Sequence, residues 1–154
     1  MFAAFVNNGI VNDMTGYYNT LNKKFTSIIS LGRETAGFPR VVHGGLTAAI
    51  FDETFGGLLF SLKKDKALNF WGPAYTVHLE VQYKNRIRAG KTVLCTTELE
   101  SFDGRKIWMK ATMSDGPDGQ VFATARALVV APKPFKLVKD VGKYMWEKWW
   151  TGGR

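Results

Sequence analysis

From Tyr75 to Tyr83 the chain alternates without a break, with Tyr75, Val77, Leu79, Val81 and Tyr83 on one side and Thr76, His78, Glu80 and Gln82 on the other. A period of two is that of a half-buried strand. Three more runs of this kind follow, Thr92 to Glu100, Lys106 to Ser114 and Gln120 to Val130. Asp103-Gly104 joins the second run to the third as a tight hairpin, and Asp115-Gly116-Pro117-Asp118-Gly119 joins the third to the fourth, so the four predict an antiparallel meander. Lys24 to Leu31 is rich in β-branched and aromatic residues and predicts one earlier strand, followed by a loop from Gly32 to Arg40.

A different pattern fills the space between. Val41 to Phe60 is almost wholly apolar and predicts one long helix, entered through His43-Gly44-Gly45 and followed by the polar exit Lys63-Lys64-Asp65-Lys66. A helix that is apolar on every side is stable only when wrapped, so this one is expected to be central and buried. Two acids, Asp52 and Glu53, interrupt it. Burying a carboxylate costs several kcal/mol unless it is compensated, so such an acid is either paired structurally or kept for chemistry. Glu53 points about 100° round the helix from Asp52, which makes it the structural partner of the two. At the helix start, Gly44 and Gly45 leave backbone N–H groups open to a ligand, where unpaired donors and the dipole both favour negative charge.

The chain ends carry weaker signals. Residues 1–24 are broken by Gly9, Asn12, Asp13 and Gly16 and read as a short helix or irregular cover segment, with a domain over 25–131 and a tail over 132–154. Within the tail, Phe135, Val138, Val141, Met145 and Trp149 recur every three or four residues between Phe135 and Trp150, with lysines on the other side. That predicts a basic, Trp-rich helix packed on the protein's own sheet, with contact to an anionic membrane or a protein partner as the alternative.

Length and composition narrow the class. With 154 residues, 45% apolar and 22% charged, the chain suits one folded domain and not a disordered or membrane-spanning one. The start has no basic leader, and the single cysteine, Cys95, cannot form an internal disulfide, so a reducing, cytoplasmic setting is expected, with a mitochondrial one as the alternative. Cys95 lies in a predicted strand with no base beside it in sequence and reads as a buried thiol. The net charge is +8, half of it after Pro132, where six basic residues face Asp140 and Glu147. Charge of that sign suits a polyanionic ligand. Nucleic acid is not expected as a partner, because charge alone supports it and no zinc-finger spacing or paired aromatic RNA motif accompanies it. Two histidines are too few for a His-rich metal site.

A strand, a helix headed by His43-Gly44-Gly45 with Asp52 nine residues after the His, and a meander that encloses it resemble the hotdog-fold acyl-CoA thioesterases. The likeness is to the branch holding the phenylacetate-pathway enzymes and the thioesterase superfamily members. It spans roughly residues 25 to 131, and Gly37 to Gly56 carries most of it. The resemblance implies an α+β hotdog fold, a homodimer with a dimer of dimers as a further step, an acyl-CoA substrate and no cofactor. It implies that Asp52 acts as general base or nucleophile. It also implies that the Gly44 N–H polarises the thioester carbonyl, that His43 holds that loop, and that Thr76 positions the water or the acid. In the family, acid and hydroxyl come from one subunit and the His-Gly pair from the other.

Two positions depart from the pattern. Some members carry Asn six residues before the His, where this chain has Gly37; and strict alternation puts Thr76 on the side opposite Val77 and Leu79, with His78 as a rival partner for Asp52. Substrate contacts are expected at Gly45 and, for the nucleotide phosphates, at Lys84, Arg86, Arg88 and Lys91; a solvated basic loop accounts for the same charges. The acyl chain is expected beside Phe51, Phe55 and Leu59, which core packing explains as well. The reading is thus a hydrolase of fatty or aromatic acyl-CoA, with a non-catalytic hotdog module that binds acyl groups or a partner as the alternative. A dehydratase is disfavoured because no second His follows nearby.

Overall fold

Thr47, Ile50, Phe51, Thr54, Phe55, Leu58 and Leu62 recur at steps of three and four and bury one face of a single helix, Gly44–Lys64 (α1). Each large apolar side chain so buried contributes roughly 1.5–3 kcal/mol. The computed structural model describes residues 8–70 and 72–131 together with Lys133, Gly142 and Lys143. The expected C-terminal helix lies outside the described residues but for Gly142 and Lys143.

Among the described residues eight strands accompany the helix: Val11–Asn19 (β1), Lys24–Leu31 (β2), Ala36–Phe38 (β3), Val41–Val42 (β4), Tyr75–Tyr83 (β5), Thr92–Asp103 (β6), Lys106–Ser114 (β7) and Val121–Val130 (β8). Six form one antiparallel sheet in the order β1-β2-β6-β7-β8-β5, and β3 pairs with β4. The α1 face packs chiefly against β2 and β6. Alternation supplies the concave side: Ile107, Met109, Ala111 and Met113 are buried on β7, and Ala123, Ala125, Ala127 and Val129 on β8. Small residues in that row let the helix lie close to the sheet. Cys95 is fully buried on β6, which pushes its thiol up to about 12 through desolvation.

Three expectations need correction. Residues 11–19 are neither helix nor irregular cover but an added edge strand, paired with β2 from Val11↔Leu31 to Asn19↔Lys24. The glycine that breaks their pattern is a packing site: a Cβ at Gly16 would lie 2.5 Å from the Phe25 ring. The helix begins three residues later than predicted, because Val41 and Val42 pair with β3 inside the predicted loop. Nor is α1 wrapped on all sides, since Gly56 is exposed, Phe60 is 71% exposed and Asp52 and Glu53 are half-buried. The sheet covers one face of the helix and leaves the acids at the border of the other.

Both ends of α1 are tied down. Lys66, in the left-handed region at φ 55°, donates its N–H to Lys63 O, and the Ala67 N–H returns to Leu62 O, the pattern of a Schellman C-cap. Asp65 accepts from the Tyr18 hydroxyl at 3.0 Å and is paired with Lys23, so the β1–β2 hairpin is fastened to the helix C-terminus. At the other end, the His43 N–H donates to Thr35 O at 2.9 Å and the Val42 N–H to Ile87 O at 2.9 Å. Gly37 sits against that entry, where a Cβ would come within 2.6 Å of His43 Cδ2 and 3.0 Å of His43 Cα. This is why the position some family members fill with Asn is bare here: the β3 backbone rests directly on His43.

The hairpin clasp depends on pH. Lys23 first, then Tyr18, hold the Asp65 carboxyl below its ordinary 3.8, so its contribution to stability is present above that value and is lost as pH falls through the lower folded value. Desolvation first, then the Asp65 bond and charge, raise the Tyr18 hydroxyl from 10.0 to about 12, so its contribution is complete below 10.0 and fades as pH rises toward 12. Asp65→Asn is expected to lower the melting temperature at neutral pH and to flatten its acid dependence below 3.8, as followed by circular dichroism. Gly37→Ala is expected to cost roughly 1–3 kcal/mol by overpacking against His43, measured by urea unfolding.

Candidate active site

The register of β5 decides which side chain meets Asp52. Tyr75 pairs with Val130 and Thr76 with Val129, but the next pair is His78 with Leu128, so Val77 is an extra residue in a β-bulge. A bulge reverses alternation. Thr76 therefore shares the concave side with Leu79 and Val81, while Val77 is 59% exposed. The Thr76 hydroxyl donates to Asp52 Oδ1 at 2.8 Å. His78 lies on the convex side, with its ring edge-on to Trp108 at 6.1 Å, away from the carboxylate.

Asp52 owes its place to α1. Its neighbours Phe51, Thr54 and Phe55 are buried, which fixes the helix and leaves Asp52 at the edge of the packed face. One carboxylate oxygen is engaged by Thr76, and among the described residues nothing donates to the other. Both Asp52 and Glu53 line a cleft of about 480 Å³, with Phe55, Gly56, Gly57 and Leu59 of the helix as its floor. Its walls come from opposite edges of the sheet, Met14 and Gly16 on one side and Ala74 and Thr76 on the other. Among the described residues Glu53 has no hydrogen-bond or ion-pair partner, so the expected structural pairing is not what holds it.

The helix N-terminus forms a second centre. His43 is the N-cap, and its Nδ1 accepts the Gly45 N–H at 2.9 Å. An accepting Nδ1 places the ring proton on Nε2. The Gly45 N–H is thereby committed to the cap, and among the described residues the Gly44 N–H has no acceptor. Sequence alternation put Tyr83 on the buried side, but its ring is exposed and its hydroxyl donates to Gly44 O at 2.8 Å. A Cβ at Gly44 would touch that ring at 3.4 Å, so the tyrosine braces the turn that presents the free donor.

Lys84 and Arg86 line a hollow of about 300 Å³ beside Gly44 and Tyr83. Arg88 is exposed and its backbone bridges Val41, one step from the same turn. Lys91 is engaged: it pairs with Asp115 at 2.7 Å and lies 5.2 Å from the Phe122 ring centroid. Phe55 and Leu59 line the cleft, whereas Phe51 is in the core. Among the described residues no group of three His, Cys, Asp or Glu side chains comes together as a metal site would require.

The donor and the acid are well separated within one chain. Eight residues of helix divide Gly44 from Asp52, about 12 Å along the axis. A carbonyl held by that N–H is out of reach of that carboxylate within one chain.

Comparison with known proteins bears on the fold and the family. The chain is 29% identical over 120 residues to the acyl-coenzyme A thioesterase THEM4 of Mus musculus, covering 78% of this chain and 48% of that protein. It is 27% identical over 112 residues to the mitochondrial membrane protein FMP10 of Saccharomyces cerevisiae, covering 72% and 44%. The chain thus spans about half the length of the curated relatives it matches. Among solved structures, a phenylacetic acid degradation-related protein from Ralstonia eutropha superposes with TM-score 0.66 at 16% identity, covering 83% of this chain and 89% of that one. Thioesterase superfamily member 2 from Mus musculus superposes with TM-score 0.65 at 14% identity, covering 77% and 84%. These establish the hotdog fold. The sequence profile of the thioesterase superfamily matches residues 40–122, more than half of the chain and the span that holds His43, Gly44, Asp52 and Thr76, and the chain belongs to that superfamily.

Proposed function

We propose that the protein hydrolyses the thioester of a fatty or aromatic acyl-CoA to the free acid and CoA, as a homodimer with two composite sites. The observation that carries this reading is the Thr76–Asp52 hydrogen bond at the mouth of an apolar cleft. A hydroxyl that donates to Oδ1 fixes the carboxylate plane and leaves Oδ2 facing the cleft. There it takes a proton from an attacking water and passes it to the departing thiolate. Alternatively it attacks the carbonyl carbon itself to form a mixed anhydride that a water then hydrolyses, releasing the acid and restoring the carboxylate. On either route negative charge develops on the carbonyl oxygen. The partner subunit's Gly44 N–H, free at a helix N-terminus, is the donor suited to receive it, and such donors are worth about 10²–10³ in rate. Collapse of the tetrahedral intermediate expels the CoA thiolate, which takes up a proton.

β5, through its exposed edge, supports pairing with a second copy. It is an edge strand with Tyr75, Val77 and Tyr83 exposed, and an unpaired edge of this kind is satisfied by antiparallel pairing with its own copy. Pairing there brings the acid of one chain toward the neighbouring helix start. Lys84, Arg86 and Arg88 suit the phosphates of the nucleotide, with Gly45 holding the turn, whereas the charge of Lys91 is offset by its pair with Asp115. No cofactor is needed for this chemistry. A dimer of dimers and contact of the basic tail with a membrane surface belong to the same reading. So does a cytoplasmic or mitochondrial location, the latter favoured by the yeast relative's name. Among the described residues no helix is long and apolar enough to cross a membrane.

Asp52→Asn is expected to abolish thiol release from acyl-CoA while the dimer persists in size-exclusion chromatography, and undiminished turnover would refute the assignment. Thr76→Ala is expected to lower kcat about 10²-fold with less effect on KM, since only the acid's orientation is lost. The composite site is checked by mixing two inactive variants, Asp52→Asn and His43→Ala, after joint refolding. Each mixed dimer regains one intact site, so activity returns; a mixture as inactive as its parents places both groups in one chain.

A further inference from the structure

The superfamily match begins at residue 40, yet one wall of the cleft comes from Met14, Gly16 and Phe25, ahead of it. The wall is built around one ring. A Cβ at Gly16 of β1 would lie 2.5 Å from Phe25 Cζ, and a Cβ at Gly57 of α1 would lie 2.6 Å from Phe25 Cε1. The phenyl ring is thus held between two bare backbones, one on the sheet edge and one on the helix. Such a fit leaves the ring little freedom, because contacts this close are those of a packed interior.

The ring's place along the helix gives it a role. Asp52, Phe55, Gly56 and Leu59 form one stripe at steps of three and four, about 10 Å long, leading from the reacting end toward the helix C-terminus. Nothing lies within 4 Å of a Cβ at Gly56, so the stripe is a groove rather than a ridge. Phe25 stands over Gly57, within that path. The Glu53 carboxylate beside the groove, without a partner among the described residues, disfavours a second negative charge on the bound acyl group.

Resting on the acyl-CoA reading, we infer that Phe25, pinned between Gly16 and Gly57, is the specificity-determining wall of the acyl groove, limiting how long an uncharged acyl chain it accepts. The β1–β2 hairpin carries the residue, and the Tyr18–Asp65–Lys23 clasp holds that hairpin against the helix.

The test compares kcat/KM for butanoyl-, decanoyl- and hexadecanoyl-CoA in the wild type, Phe25→Leu and Phe25→Ala. Butanoyl-CoA does not reach the ring and reports on folding and chemistry. The ratio of long-chain to butanoyl kcat/KM is expected to rise in the order Phe, Leu, Ala. The total rise should be about tenfold or more, the scale set by a pocket that gains or loses a methylene, and it should appear mainly in KM. An unchanged ratio with butanoyl turnover retained overturns the inference. So does equal loss on all three substrates in both variants, which makes the ring part of the scaffold. A wild type that releases no thiol from any of them defeats the hydrolase reading instead. The wall is then judged by displacement of a fluorescent fatty acid with decanoate and hexadecanoate, where unchanged relative affinities in both variants overturn it.

Discussion

The burial of one face of α1 is the constraint on which the rest of the molecule depends. Ile50, Phe51, Phe55, Leu58 and Leu62 are fully or almost fully withdrawn from water, and among the described residues no other element buries as many large apolar side chains. To cover a rod, a sheet must curl, and a curled sheet brings its two edge strands toward the rod's uncovered side. The cleft is the gap left between those edges. Its floor is therefore helix and its walls are β1 and β5, and the acids stand where packed core gives way to open groove. A carboxylate deeper in the packed face would have to be neutralised, and one fully outside would be an ordinary solvated charge.

Much of this was legible in the sequence because it rests on periodicity. The meander from Thr92 to Val130, the strand at Lys24 and the helix through Asp52 each bury a regular set of positions, and regular sets are what patterns reveal. The failures share a cause as well. The bulge at Val77 is one extra residue with no composition of its own, so perfect alternation from Tyr75 to Tyr83 concealed a reversal after Thr76. That reversal, not the alternation, brings the hydroxyl to the acid. β1 was missed because Gly16 broke its pattern, and Gly16 is there to admit the Phe25 ring. Helix burial was overestimated because an all-apolar run does not say which of its members lie under a sheet and which, like Phe60, do not. Tyr83 was legible as a strand residue but not as a brace, since its bond to Gly44 spans 39 positions.

Two kinds of residue therefore divide the work. Those within the superfamily match supply the groups of the proposed chemistry: a capped helix start whose Gly44 N–H has no acceptor among the described residues, and an acid steadied by a hydroxyl. Those ahead of it build one wall of the cleft, through a strand that lies outside the superfamily match. The hairpin is coupled to the helix end by a charged clasp at Asp65, far from the donor turn at His43. Changes in the hairpin can thus tune the groove without disturbing the turn, because the helix between them is fixed by its own buried face.

Cys95 brings a last consequence. It is the chain's one cysteine, sealed beneath the helix with its thiol pushed up to about 12, so alkylating and oxidising reagents find no reactive sulfur while the fold is closed. The folded protein is thus silent toward reagents that react with thiols. Labelling of Cys95 then marks only those moments when the helix lifts from the sheet, and its rate becomes an internal clock of opening that needs no added probe.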